Sequence, residues 1–219
     1  MGKERLEDHL NPEQYELWKS LDTPLEIQAF LDGIPYSPEN RNRSPLEVLQ
    51  DRQAHCLDGA LFGAAALRRI GYSPLVIDLY PDPGQDDDHV LAIYRLDGAY
   101  GAVAKSNYVG LRYREPIYRT LRELVISYFE VYYNIHGKKT LRMFTSPLNL
   151  KHFDRMNWES DPAGADAIEA RLKTARRTHL LKPAMIARLA PVDERSFTAG
   201  MQGSNPDGLY QPKVGAEEV

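Results

Sequence analysis

Cys56 is the only cysteine in the chain, and it stands at the head of the apolar run CLDGALFGAAALRRIGY. A lone cysteine is commonly a small core residue. From Leu57 onward, however, apolar residues recur at helical spacing, which predicts a helix that Gly71 ends. Unpaired amides and the helix dipole at a helix start favour the thiolate, the reactive form of the side chain. Cys56 is therefore a candidate nucleophile that needs a base.

His89 is the best placed of the six histidines to be that base, because it opens a predicted strand directly after an acidic loop. The strand continues into the dipeptide Asp97-Gly98, a strong hairpin signal. If these two residues are the whole turn, His89 faces Ser106. If Ala99 joins the turn, the partner is Asn107. Either side chain could accept a hydrogen bond from the imidazole and orient it.

Three helix starts carry a Ser or Thr cap followed three residues later by Glu, which satisfies free backbone amides reciprocally. They are TPLE at Thr23, SPLE at Ser44 and TLRE at Thr120. We expect the first helix to end before Gly33 and the second near Arg52. The third continues an aromatic, amphipathic pattern that predicts one long helix ending before Gly137.

Strands are predicted between these helices and after them, and the remaining segments predict two more helices and a tail. The strands are PLVIDLY at 74–80, HVLAIYRL at 89–96, AYGAVAKS at 99–106, YVGLRYR at 108–114 and KKTLRMF at 138–144. Helices are expected from about Ala163 and over 183–190. The polar, Gly-rich residues 196–219 predict a flexible tail. Residues 1–195 are thus read as one α+β domain.

Composition excludes several classes of protein. The net charge is −4, and the 27 lysines and arginines are scattered, so no nucleic-acid partner is expected. No apolar run reaches the roughly 20 residues of a membrane helix. A single cysteine allows no internal disulfide, which predicts a cytoplasmic location. Asp86 to Asp88 beside His89 could suggest a metal, but adjacent carboxylates in a polar loop are usually only solvated, so neither metal nor cofactor is expected.

The segment CLDGALFGAAALRRIGYSPLVIDL resembles the cysteine-helix motif of transglutaminase-like proteins. The matching positions are Cys56, Asp58, Ala60, Leu67, Arg68 and Gly71. The later DHVLAIYRLDGAYGAVAKSNY resembles the histidine strand of that family and the strand after it, with Tyr100 where an aromatic residue is common. The resemblance covers about residues 50–110.

This resemblance implies a papain-like fold, in which the cysteine helix packs on an antiparallel sheet that carries the histidine and a third polar residue. The third residue is usually Asp, whereas Ser106 or Asn107 stands here. Gln53, three residues before Cys56, is the oxyanion donor by analogy with papain-like enzymes, together with the Cys56 backbone amide.

Two functions follow from the resemblance and the chemistry. The first is a cysteine hydrolase or acyltransferase that acts on amide bonds of a peptide or peptide-like substrate through a thioester. The second is a catalytically weak or inactive module that keeps this fold and binds a protein partner, because an imidazolium without a carboxylate is less stabilised. The sequence leaves both open, together with the oligomeric state.

Overall fold

The computed structural model describes residues 6–212, which form one antiparallel sheet with helices on both faces. The sheet order is β4-β3-β2-β1-β5-β7, and β6 pairs with the start of β1. The predicted α+β class, with a cysteine-bearing helix on an antiparallel sheet, is confirmed. In chain order the elements are α1 (Pro12–Ser20), α2 (Pro24–Asp32), α3 (Pro45–Asp51), α4 (Cys56–Arg69), β1 (Leu75–Pro81), β2 (His89–Leu96), β3 (Ala99–Val103), β4 (Arg114–Tyr118), α5 (Leu121–Phe129), β5 (Leu141–Thr145), β6 (Leu148–Asn149), α6 (Pro162–Lys173), β7 (Arg177–His179), α7 (Pro183–Ile186) and α8 (Glu194–Gly200).

Helix α4 is the central element, and every residue from Cys56 to Leu67 is buried. It packs on β2 and is covered outside by α2 and α3. Small residues allow this close approach: a Cβ on Gly59 would lie 2.2 Å from the Lys105 Cβ. Phe62 stacks on Phe30 with ring centroids 4.6 Å apart, and truncating such a side chain to Ala costs about 3–5 kcal/mol. Cys56 is therefore held at the end of a rigid core helix.

The sheet separates two hydrophobic cores. On β2, Val90, Ala92 and Tyr94 face α4, whereas Leu91 and Ile93 face the core that includes α5. His89 has the orientation of the second set, since strand residues alternate between faces. The nucleophile candidate and the base candidate thus approach from opposite faces of the sheet, and both line one cavity at the start of β2.

The predicted hairpin is confirmed with the two-residue turn. Ala92 pairs with Val103 and Leu96 with Ala99, the register that a turn of Asp97 and Gly98 alone requires. Both turn residues have positive φ, 49° and 84°, as a type I′ turn demands. Strand β3 ends at Val103, however, before it reaches the residue opposite His89.

The predicted helix starts are confirmed, because Thr23, Ser44 and Thr120 each cap a helix through the side-chain oxygen. The long helix expected from Thr120 to Gly137 is wrong, since α5 ends at Phe129. Beyond it the chain turns: the Thr140 amide donates to the Tyr132 carbonyl at 3.1 Å. Tyr132 and Tyr133 are buried in this turn and not on the face of a longer helix, a difference that the helical spacing of apolar residues could not reveal.

The strand expected over 108–114 is also wrong. Val109–Leu111 form a single 3-10 turn, and the strand is β4, Arg114–Tyr118. Pro116 is tolerated there because β4 is an edge strand. The 3-10 turn directs the Leu111 carbonyl toward the sheet, where it becomes part of the site.

The C-terminal residues that the structure describes have defined contacts. After α8, Pro206–Gly208 form a 3-10 turn, and the Asn107 carboxamide accepts from the Asn205 amide at 2.7 Å. The domain boundary at residue 195 and the flexibility of 196–219 remain predictions, and residues 213–219 lie outside the described part.

Candidate active site

The backbone before Cys56 is fixed by a reciprocal cap. The Leu57 amide donates to His55 Nδ1 at 3.2 Å, and the His55 amide donates to Asp58 Oδ2 at 3.1 Å. Asp58 is fully buried and also accepts the Arg43 amide at 2.7 Å. The Asp that the family resemblance singled out therefore holds the loop in front of the nucleophile, and His55 is its capping residue.

Cys56 is buried, with only 9% of the residue exposed. Its Sγ donates to the main-chain carbonyl of Asp88 at 3.8 Å, which places the sulfur beside the start of β2. Burial raises the pKa of the Cys56 thiol well above its usual value, the Asp88 and Asp87 carboxyls raise it further, and the Val90 amide lowers it. Burial outweighs the helix start here, so the thiol is neutral in this conformation, contrary to the expectation of a favoured thiolate.

His89 is buried and its Nε2 lies 2.7 Å from the carbonyl oxygen of Leu111. A carbonyl can only accept, so Nε2 carries the proton and Nδ1 of the neutral ring is the basic nitrogen. Burial lowers the pKa of His89 to about 4, although the Leu111 hydrogen bond raises it; the Arg114 charge lowers it. At neutral pH the imidazole is uncharged and can accept a proton.

Neither residue predicted to orient His89 makes a hydrogen bond to it in the described part of the chain. Ser106 Oγ accepts the Tyr108 amide at 3.0 Å, and the Asn107 side chain binds the backbone of Asn205. The physical reason is that β3 ends at Val103, so the facing positions no longer follow the sheet. The orienting group is instead the Leu111 carbonyl, a backbone atom that no residue-type pattern could reveal.

Gln53 does not lie at the thiol. Its Nε2 donates to Glu39 at 3.4 Å, and it is absent from the lining of both cavities that contain Cys56. Tyr36 lines both cavities, and its neighbour Ser37 donates its amide to the Ala54 carbonyl at 3.0 Å. Burial raises the pKa of Tyr36 well above its usual value, while the Cys56 amide lies close enough to lower it. Tyr36 is a polar group beside that amide, and no sequence pattern pointed to it.

Cys56 and His89 line one cavity of about 40 Å³ at the start of β2. The C-terminal segment, defined here as residues 204–210, covers it through Gly208 and Tyr210. Asn205 anchors the segment, since its Nδ2 donates to the Tyr36 carbonyl at 3.1 Å. The cavity is also lined by Tyr36, Asp86, Asp87, Asp88, Ser106, Asn107, Tyr108, Leu111 and Tyr132.

Comparisons with known proteins find similarity among solved structures only; no family model and no curated protein matches. One structure of LapG from Legionella pneumophila matches with 14% identity and a TM-score of 0.34, over 51% of this chain and 86% of that one. A structure of EGTA-treated LapG matches with 12% identity and a TM-score of 0.40, over 76% and 94%. LapG has a transglutaminase-like cysteine protease fold. Because both TM-scores are below 0.5, the function proposed below rests on this chain's own site.

No helix within residues 6–212 has the length and apolar character needed to cross a membrane. The cytoplasmic location expected from the single cysteine remains a prediction.

Proposed function

We propose that the protein is a cysteine-dependent hydrolase or acyltransferase that acts on amide bonds of a peptide or peptide-like substrate through a thioester. One observation carries this proposal. Cys56, at the start of a buried helix, and a neutral His89, oriented by the Leu111 carbonyl, line the same cavity. A nucleophile, a base and an orienting group are the parts that covalent acyl transfer requires.

In the reaction, His89 Nδ1 accepts the thiol proton while Sγ forms a bond to the substrate carbonyl carbon. The oxyanion accepts hydrogen bonds from the Cys56 amide and from the Tyr36 hydroxyl. The C–N bond then breaks, the imidazolium returns its proton to the leaving amine, and a thioester remains. Water or a second amine attacks this thioester with His89 as base, which releases the acid or a new amide and restores the thiol.

The Leu111 carbonyl makes this base weaker than a histidine paired with a carboxylate. It accepts the Nε2 hydrogen and orients the ring, but it adds only a dipole and no countercharge to the imidazolium. We therefore expect proton transfer to accompany the attack on the substrate, with no stable thiolate–imidazolium pair in the free protein. The C-terminal segment must also move before a substrate carbonyl can reach Sγ, since Gly208 and Tyr210 cover the cavity.

A p-nitrophenyl ester of a short peptide tests this function, with intact mass spectrometry of the protein after rapid acid quench. We expect an added mass equal to the acyl group, located on Cys56 by peptide mapping and removed by hydroxylamine. Cys56→Ala should show no adduct, and His89→Ala should form it far more slowly. Equal nitrophenol release by wild type and both variants would refute the proposal.

A binding module of the same fold is the second candidate, and two observations favour it. The thiol is neutral and covered, and no carboxylate within residues 6–212 bonds to His89. The same experiment separates the two functions, since a module that never reacts gives no thioester even at high probe concentration.

A further inference from the structure

A second, larger cavity of about 310 Å³ opens on the other side of Cys56. We call it the acidic cavity. It lies between the start of α4, the strands β1 and β2, helix α6 and the C-terminal segment. Its carboxylates come from five separate stretches of chain: Glu39, Asp78, Asp87, Asp88, Glu169 and Asp207.

Some of these carboxylates are already paired. Glu39 binds Arg41 at 3.1 Å and Arg43 at 2.6 Å. Glu169 binds Lys173 at 2.5 Å. Among the residues that the structure describes, no ion pair involves Asp78, Asp87 or Asp88, so these three leave the inner part of the cavity with unneutralised acidic groups.

Asp78 supplies the independent observation. It is only 2% exposed, and its Oδ1 has no hydrogen-bond partner within residues 6–212. Its neighbour across the strands is Val90, which also lines the cavity, so Asp78 belongs to the cavity floor. A buried polar atom without a partner is costly and rare in native proteins. The missing partner is a donor, and the acidic surroundings favour a positively charged one.

We propose that the acidic cavity binds the ammonium or guanidinium group of a lysine or arginine side chain of the substrate, with Asp78 Oδ1 as the buried acceptor. The proposal rests on the function above, because it names the residue that lies beside the amide attacked by Cys56. An organic cation fits better than a metal ion, since no group of three or more His, Cys, Asp or Glu in the described part of the chain is arranged to hold a metal. Cys56 lines this cavity as well as the one that contains His89, so a side chain bound here lies beside the nucleophile.

The protonation of the carboxyl groups in the acidic cavity is consistent with the binding of a cation. Burial is the main cause that raises the pKa of Asp78 and of Asp88 above the usual range. A lower pH therefore favours their protonated forms, whereas an entering ammonium group favours their ionised forms. Binding should strengthen as the pH rises from mildly acidic to mildly basic. The charged groups that face these two carboxyls are Asp87, Glu169, Lys173 and Arg177, and the Tyr80 hydroxyl also lowers the pKa of Asp78.

Binding of two matched peptides tests the cavity without turnover, because the Cys56→Ala protein is used. The probes are acetyl-Gly-Ala-Lys-Ala-Gly-amide and its twin with Nε-acetyl-lysine, measured by isothermal titration calorimetry at pH 8. We expect the lysine peptide to bind at least tenfold more tightly. Asp78→Asn should remove that preference, and Asp22→Asn, a carboxylate on the far surface that pairs with Arg69, should retain it.

Because Asp78 is buried, Asp78→Asn could lose binding simply by misfolding, so a second variant serves as a control. Asp87→Asn alters an exposed position of the same cavity. It should weaken binding of the lysine peptide by a few fold, without weakening that of the acetyl-lysine peptide, and leave the melting temperature unchanged.

Equal affinity of both peptides for the unaltered cavity would overturn the proposal, as would calcium chloride that displaces the lysine peptide at micromolar concentration. The two proposals fail separately. If nitrophenyl esters of both peptides acylate Cys56 in the wild-type protein at equal rates, only the proposed lysine recognition by the acidic cavity is refuted. If the lysine peptide binds tightly but no thioester forms, only the proposed enzymatic function is refuted.

Discussion

The two cavities that Cys56 lines differ in size and in lining. The acidic cavity has about 310 Å³ and carboxylates from five stretches of chain. The cavity shared with His89 has about 40 Å³, carboxylates from one stretch, and four tyrosines in its lining: Tyr36, Tyr108, Tyr132 and Tyr210. The first is suited to holding a charged group, and the second is suited to excluding water around a reacting bond. Cys56 lines both cavities, so we expect substrate recognition on one side of the thiol and the chemical step on the other.

The difference also explains why both reactive groups are neutral. Burial is the largest influence on the pKa of Cys56 and on that of His89, and it opposes the charged form in each case. The acidic cavity adds to the effect on Cys56 through Asp88 and Asp87. A cation in the acidic cavity would offset these charges, so occupation of one cavity should favour reaction in the other.

The largest effect is expected from the small cavity. His89→Ala removes the base, and formation of the Cys56 thioester should slow about 1,000-fold or more, as for the loss of a catalytic member in other acyl-transfer enzymes. Rapid-quench mass spectrometry measures this rate. His152→Ala, at an exposed histidine far along the chain, is the matched control and should leave the rate unchanged. If His89→Ala slows thioester formation by less than tenfold, His89 is not the base.

The pH dependence of alkylation tests the neutral pair. Because the pKa of the buried thiol lies above the ordinary value of about 8.5, its thiolate fraction should rise about tenfold per pH unit from pH 7 to 9. The rate of reaction with iodoacetamide, measured by mass spectrometry, should follow that rise. Thioester formation should show no acidic limb between pH 5 and 7, since His89 is already deprotonated above about 4. A plateau of alkylation below pH 8 would contradict the closed, neutral site.

Tyr36 lines both cavities, and its loss should affect only the chemical step. Tyr36→Phe removes the second oxyanion donor, and the thioester rate should fall about 10- to 100-fold, somewhat less than the loss of an oxyanion-hole donor in a serine protease. Binding of the lysine peptide to the Cys56→Ala protein should stay the same in the double variant. Loss of that binding would assign Tyr36 to recognition instead.

Loosening the C-terminal segment over the small cavity should moderately increase the reactivity of Cys56. Asn107→Ala removes both hydrogen bonds to the backbone of Asn205, so the C-terminal segment should detach more often and iodoacetamide should modify Cys56 several-fold faster. Ser106→Ala removes a hydroxyl that accepts the Tyr108 amide and does not bond to the C-terminal segment within residues 6–212, so it should not change the rate. Slower thioester formation in Asn107→Ala with unchanged alkylation would instead restore the sequence prediction that Asn107 orients His89.

The smallest effect is expected at Gln53. Its amide faces Glu39 rather than Cys56, so Gln53→Ala should change the thioester rate less than twofold in the same quench experiment. A fall comparable with that of Tyr36→Phe would show that the segment before α4 rearranges when substrate enters.

Local sequence was enough for the helix caps and for the tight hairpin turn, which depend on neighbours along the chain. The caps at Thr23, Ser44 and Thr120 formed as predicted because each hydroxyl binds an amide three residues away. The Asp97-Gly98 turn set the register of its hairpin because only two backbone conformations were required. Cys56 at the start of α4 and His89 at the start of β2 follow from these elements.

Tertiary packing decided the rest. The group that orients His89 is the carbonyl of Leu111, and a backbone atom leaves no mark in the residue pattern. Helix α5 ends at Phe129, and beyond it Tyr132 is buried with its hydroxyl donated to the Leu79 and Asp87 carbonyls, contacts that lie far away along the chain. The protonation state of Cys56 also depends on how deeply the fold buries the sulfur and on distant carboxylates. Spacing along a chain predicts which side chains can react, whereas burial and long-range contacts decide their charge.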